Sequence, residues 1–203
     1  MGTKFGNLHV KTTNQAEVIA ALKGLSGANK PTASADGKAK ANLHLEDLLQ
    51  NIFHVGSLQS DWVSVLNDLF GWGVVEQVGE ALSRHIASPV LTCSYFDEDL
   101  FEINLYYNGE CLTGHLWSSP EVIEDYELEP KKADIAILSA HLGLNHTEQL
   151  MQALELENPE EAVQALESTL QLPLWIHSEW FYDLDDEDDK AFISNYIKYD
   201  FNL

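Results

Sequence analysis

From residue 89 to residue 117 apolar and polar positions alternate in three short runs, PVLTCSYF (89–96), LFEINLYY (100–107) and ECLTGHLW (110–117). A period of two sends successive side chains to opposite faces, so the runs predict a three-stranded meander. Asn108-Gly109 joins the last two runs, and both residues tolerate the positive φ angles of a two-residue type I′ turn. Such a loop sets Tyr107 against Glu110, Leu105 against Leu112, Asn104 against Thr113 and Glu102 against His115. A loop of Asp97, Glu98 and Asp99 at the other end sets Phe96 against Leu100, Ser94 against Glu102 and Thr92 against Asn104. One face is then Leu91, Cys93, Tyr95, Phe101, Ile103, Leu105, Leu112 and Leu116, which is core. The other is a polar sheet face carrying Thr92, Ser94, Glu102, Asn104, Thr113, His115 and Trp117, with Cys93 and Cys111 on opposite sides.

Before the meander, FGNLHVKTT (5–13) reads as a strand and Gln15 to Leu22 as a helix capped by Asn14, with Val18, Ile19 and Leu22 on one face. SGANKPTASADGKAKAN (26–42) is small, polar and lysine-bearing, and is expected to be a mobile loop. A short helical turn should lead into a strand from about Asn51 to Ser57, which forms a hairpin with DWVSVLND (61–68). A helix follows from Val74 to Ile86, its stripe made by Val75, Val78, Leu82 and Ile86, and Ser88-Pro89 stops it. The order β-α-β-β-α-β-β-β predicts an α+β fold, an antiparallel sheet with helices on one face. LHVKTTNQAEVIAAL loosely echoes WVSVLNDLFGWGVVEQVGEAL, which permits an internal duplication.

After Pro130 the pattern turns helical. Helices are expected over Lys132–Leu142, ended by Gly143, over Thr147–Leu154, and from Pro159 to Leu170 behind Asn158 as cap with Glu161 three residues on. Residues 1–120 therefore read as an α+β domain, and 121–203 as an acidic helical region with an aromatic tail, the whole region packed on the first domain.

Charge is segregated along the chain. Residues 1–40 hold six of the eleven basic groups against two acids, so the other 163 residues hold five basic groups against thirty-one acids. A surface of that sign repels phosphate and anionic lipid and attracts basic proteins, so neither nucleic acid nor membrane is an expected partner. No apolar run approaches the ~18 residues of a membrane span, and no secretory leader is evident, which points to the cytoplasm. Two cysteines are too few for a disulfide scaffold or a four-ligand zinc site.

Little in the sequence suggests catalysis. Ser94, Glu102 and His115 in one row contain the ingredients of a hydrolase triad, but the acid rather than the histidine sits in the middle. A Glu102–His115 cross-strand ion pair is the plainer expectation, raising the His115 pKa. The eight histidines lack metal-ligand spacing. Asp183, Asp185, Asp186, Glu187, Asp188 and Asp189 form an acidic run without the Gly and Glu of an EF-hand loop. No cofactor or metal is expected.

Eight of the twenty aromatics fall in the last 29 residues, too many for a disordered tail. They are expected to anchor the tail to the body or to form a partner-binding surface of Trp180 and Tyr182 with Asp185, Asp186, Asp188 and Asp189. The functional expectation is a non-enzymatic acidic module that binds a basic protein, in its most concrete form an inhibitor or immunity-type protein. A hydrolase or metal-dependent enzyme with an unrecognised site, and a nucleic-acid mimic, are the alternatives.

Overall fold

The computed structural model describes residues 2–27, 52–58, 61–145, 147–182 and 193–201. Strands β1 (Lys4–Val10), β2 (Ile52–Leu58), β3 (Trp62–Asn67), β4 (Val90–Phe96), β5 (Leu100–Tyr107), β6 (Glu110–Ser118) and β7 (Tyr196–Asp200) form one antiparallel sheet in the order β6-β5-β4-β1-β3-β2-β7. Helix α1 (Gln15–Gly27) lies between β1 and β2 in the chain and α2 (Val74–Ser83) between β3 and β4. The four central strands, β4-β1-β3-β2, with one helix in each β-α-β unit, have the split β-α-β topology of a ferredoxin-like sheet. β5 and β6 extend it on one edge and β7 on the other. No helix among the described residues is long and apolar enough to cross a membrane.

Two apolar layers hold the sheet. On one face Val18 and Leu22 of α1 and Val75, Val78 and Leu82 of α2 pack on Leu8, Val10, Phe53, Val55, Val63, Val65 and Val90. Gly79 lets α2 approach closely: a Cβ there would run into Thr92 Cγ2. On the other face α4 (Ile135–Leu142), α5 (Thr147–Leu154) and α6 (Pro159–Leu170) bury Leu138, Leu142, Leu150, Val163 and Leu166 against Phe5, Tyr95, Phe101 and Trp117. The sheet thus has helices on both faces rather than one.

Local signals account for these helix ends. Asn158 Oδ1 accepts from the N–H groups of Glu160 and Glu161 at 2.9 and 3.0 Å, and Gly143 ends α4 at φ 71°. Helix α4 begins at Ile135 and not at Lys132, because Asp134 caps it through the N–H groups of Ala136 and Ile137. The residues before the cap run extended beside β6, with the Leu116 N–H donating to the Lys131 carbonyl at 3.2 Å. A short helix unforeseen from the sequence, α3 (Pro120–Asp125), starts behind a Ser119 cap.

In the meander Asn108 and Gly109 both have positive φ, 52° and 81°, and Tyr107 faces Glu110 as the turn requires. Two residues on, the ladder slips. Tyr106 pairs with Cys111 but Leu105 pairs with Thr113, so Leu112 is an extra residue in β6. Every residue of β6 beyond it changes face. Ile103 lies opposite His115 and Glu102 opposite Leu116, which overturns the Glu102–His115 pair and removes His115 and Trp117 from the polar sheet face. The bulge lets Trp117 stack on Phe101 at 4.9 Å between centroids, in the core under α5. The β4–β5 register is as expected, with Ser94 opposite Glu102. Cys93 is buried in the helix-covered core and Cys111 lies beside Asn104 on the other side, both as free thiols.

The tail aromatics are largely packed. Trp175 meets Phe5 and Tyr95, Phe201 meets Phe53, and Tyr196 is buried with Leu66 and Ile176. The loop expected over 26–42 falls, from residue 28 onward, outside the described residues, as do the helical turn before β2 and the acidic run 183–189.

Candidate functional site: a carboxylate recess beside helix α2

Three elements converge on the polar side of β4 and β5. The β4–β5 pairing puts Ser94 next to Glu102. Helix α2 enters at Gly73, which takes a positive φ of 84°, and its first turn places Glu76 over the same strands. The segment after α3 turns at Glu127 (φ 52°) and brings Glu129 and Lys131 alongside β6.

Glu102 is buried and held from three sides. The Trp72 indole N–H donates to Oε2 at 2.9 Å, the Asn104 amide donates to Oε1 at 2.7 Å, and the half-exposed Lys131 ammonium pairs with Oε1. Lys131 also donates to Asn104 Oδ1 at 3.3 Å. Such donors satisfy the hydrogen-bonding capacity of a buried carboxylate.

Glu76 has a different environment. Ser94 Oγ donates to its Oε1 at 2.6 Å, but its Oε2 is sealed from solvent and has no hydrogen-bond partner. Burial pushes its pKa up to about 7, the Ser94 hydrogen bond pulls it back, and the charge of Glu102 adds to the rise. Two carboxyls side by side thus have different surroundings: Glu102 is held by three donors, whereas Glu76 has one and is made a weaker acid by burial.

A recess of about 320 Å³ opens here, lined by Trp72, Gly73, Glu76, Glu102, Leu116, Glu127, Leu128, Glu129 and Lys131. Its walls carry four carboxyl groups against one ammonium. Among the described residues no three His, Cys, Asp or Glu side chains are grouped to hold a metal ion.

The predicted site residues separate into three places. Ser94 and Glu102 are here. His115 and Trp117 line a larger groove of about 800 Å³ on the other side of β6, with Glu98 and Asp99 from the β4–β5 turn, Leu156 and Glu157 from the α5–α6 loop and Pro159 at the start of α6. His115 accepts from the Ala133 N–H through Nδ1 at 3.2 Å and lies 4.2 Å from the Trp117 ring. Burial, helped by the charge of Lys132, lowers its pKa to about 4, the reverse of the expected rise. Trp180 and Tyr182 border a third cavity of about 660 Å³ with His54, Phe181, Tyr196 and Lys198. Trp180 is half-buried there, whereas Tyr182 is 58% exposed with its hydroxyl 3.3 Å from Asp68. Asp185, Asp186, Asp188 and Asp189 lie outside the described residues.

Sequence reasoning missed Trp72, Glu76 and Lys131. Gly79 was the available signal for Glu76: a mid-helix glycine marks close approach to the sheet, and positions 76 and 83 share its side of the helix. Nothing local marks Lys131, whose partner lies 29 residues away. Comparison with protein-family models, with curated proteins and with solved structures finds no match to this chain.

Proposed function

We propose that this chain is a non-enzymatic cytoplasmic module that binds a basic protein, in its most concrete form an immunity-type protein that neutralises a cationic toxin or nuclease. The observation that carries the proposal is the groove at Trp117. Glu98, Asp99 and Glu157 line it together with Trp117, Val122, Leu156 and Pro159, so carboxylates and apolar groups share the lining. Lysine and arginine side chains fit such a surface, because the stem packs on apolar atoms while the head meets the acids. Exposed Glu121, Glu124, Asp125, Glu127 and Glu129 continue the same sign along α3 and the segment after it. The excess of thirty-one acids over five basic groups beyond residue 40 supplies the long-range field. A hydrolase site at Ser94, Glu102 and His115 has lost its geometric support, since the histidine is on the far face of the sheet.

The test begins with capture of the partner from the native host and measurement of its association rate. The rate should fall steeply as salt shortens the Debye length from about 10 Å at 0.1 M to about 3 Å at 1 M. Glu98→Lys with Asp99→Lys and Glu157→Lys should slow association about tenfold with the melting temperature unchanged, and duplex DNA should not bind. Charge reversal of Asp185, Asp186, Asp188 and Asp189 serves as the comparison that separates the groove from the tail. An acidic partner, a salt-independent rate, or full activity of both charge-reversed variants defeats the proposal.

A further inference from the structure

We propose that the recess between α2 and the 127–131 segment is a specific site for one ammonium or guanidinium group, held between Glu76 and Glu102 against the Trp72 indole. The inference goes beyond the groove at Trp117 and does not depend on it.

The first argument is an imbalance of donors and acceptors. Glu102 has three donors, whereas Glu76 has one, and its Oε2 is buried with none. A buried carboxyl oxygen without a donor is costly, and native structures satisfy nearly all such groups. Glu76 is one of the residues that line the recess, so a donor seated there stands beside its carboxyl. Ammonium and guanidinium are donor-only groups, so they complete both the hydrogen bonding and the charge.

The second argument is selectivity. An anion would face Glu76, Glu102, Glu127 and Glu129, with Lys131 already paired. A divalent metal lacks a grouped ligand set among the described residues. The indole of Trp72, an aromatic with its N–H already directed at Glu102, suits an organic cation, which gains from an aromatic face. The size of the recess, about 320 Å³, fits one side-chain head and its stem.

The third argument is linkage. The ionisable groups around Glu76 are Glu102 and Tyr106 of β5, Cys93 of β4, and Glu127, Glu129 and Lys131. A cation prefers the ionised Glu76, so its affinity should rise about tenfold between pH 6 and pH 8 as Glu76 loses its proton near pH 7.

The test is a titration of the ¹⁵N-labelled protein with ethylguanidinium and with n-butylammonium, using n-butanol as the uncharged control. The Trp72 indole N–H signal should shift with both cations and not with the alcohol. Glu76→Gln should weaken binding about tenfold at pH 8, hardly at pH 6, and so remove the pH dependence. Lys131→Ala should tighten binding several-fold, because it frees Glu102. That gain is not expected of a residue that merely supports the fold, and it keeps the test decisive if Glu76→Gln does not fold. A blocked Ala-Arg-Ala peptide compared with agmatine distinguishes the source: tighter peptide binding identifies a partner's side chain, tighter agmatine binding a free amine. No shift at Trp72, an equal response to the alcohol, or weaker binding in Lys131→Ala overturns the proposal.

Discussion

Alanine in place of Gly79 should destabilise this protein even though alanine is the better helix former. Gly79 lies inside α2, and replacing a helical glycine with alanine ordinarily stabilises by about 0.5–1 kcal/mol. Here the new Cβ would fall roughly 1 Å inside the ~3.5 Å at which carbon atoms pack, against Thr92 Cγ2. It would also stand 3.3 Å from Cδ2 of the Tyr106 ring. Thr92 is fully buried on β4, and its branched side chain has little freedom to withdraw. The helix must therefore lift off the sheet. Overpacking of this kind costs ~1–3 kcal/mol, and so deep an overlap belongs in the upper part of that range. The net loss is about 1–2 kcal/mol, a fall in melting temperature of roughly 2–8 °C for a chain of this size. Gly24 in α1 is the matched control, since a Cβ there meets nothing within 4 Å. Gly24→Ala should raise the melting temperature by about 1–4 °C. Adding Thr92→Ser to Gly79→Ala removes Cγ2, keeps the hydroxyl near the Asn104 carbonyl, and should recover most of the loss. Thermal and urea unfolding of the three variants beside the wild type measures this. If Gly79→Ala matches or exceeds the wild type, or Thr92→Ser gives no recovery, the close approach of α2 to β4 is wrong.

Three further outcomes follow from the buried groups. Glu76 has a folded pKa near 7 against an ordinary 4.5, so its penalty is absent below pH 4.5 and complete above pH 7. Glu76→Gln should therefore gain on the order of 1–3 kcal/mol at pH 8 and nothing at pH 4, and equal gains at both would refute the assignment. His115 and His9 are depressed to about 4 and about 3 by burial, so the stability they contribute is whole above pH 6.5 and declines as pH falls toward those values. An NMR titration should find both rings neutral at pH 5.5, and a midpoint above 6.5 for His115 would restore its pairing with Glu102. Trp117 donates to the Ala153 carbonyl at 3.2 Å and stacks on Phe101, so Trp117→Ala should cost ~3–5 kcal/mol in urea unfolding, and a loss under ~1 would mean the helical layer is not held there.

Much of this architecture is written locally. The alternation of 89–117, the Asn108-Gly109 turn and the Asn158-Pro159 helix start depend on a residue's own backbone preferences and those of its near neighbours, and these act before any tertiary contact forms. The shared antiparallel sheet is likewise implicit in strands joined by short turns. The bulge at Leu112 is not. Turn geometry alone carries the register straight from Tyr107–Glu110 to Glu102–His115, and the ladder departs from it because Trp117 gains more by stacking on Phe101 beneath α5 than by lying on the polar face. One inserted residue then exchanges every later side chain between faces, a change invisible to periodicity within β6 itself. The strand order is also a tertiary outcome, since β1 pairs with β3 and β4, and β7 with β2, across stretches that no local pattern connects. The recess follows from both. Ser94 and Glu102 were legible as neighbours, but Trp72, Glu76 and Lys131 reach them only because α2 closes on the sheet at Gly79 and the segment after α3 doubles back along β6. Side chains and backbone preferences specify the pieces, and the competition to bury Trp117, Thr92 and Leu82 decides which of them meet.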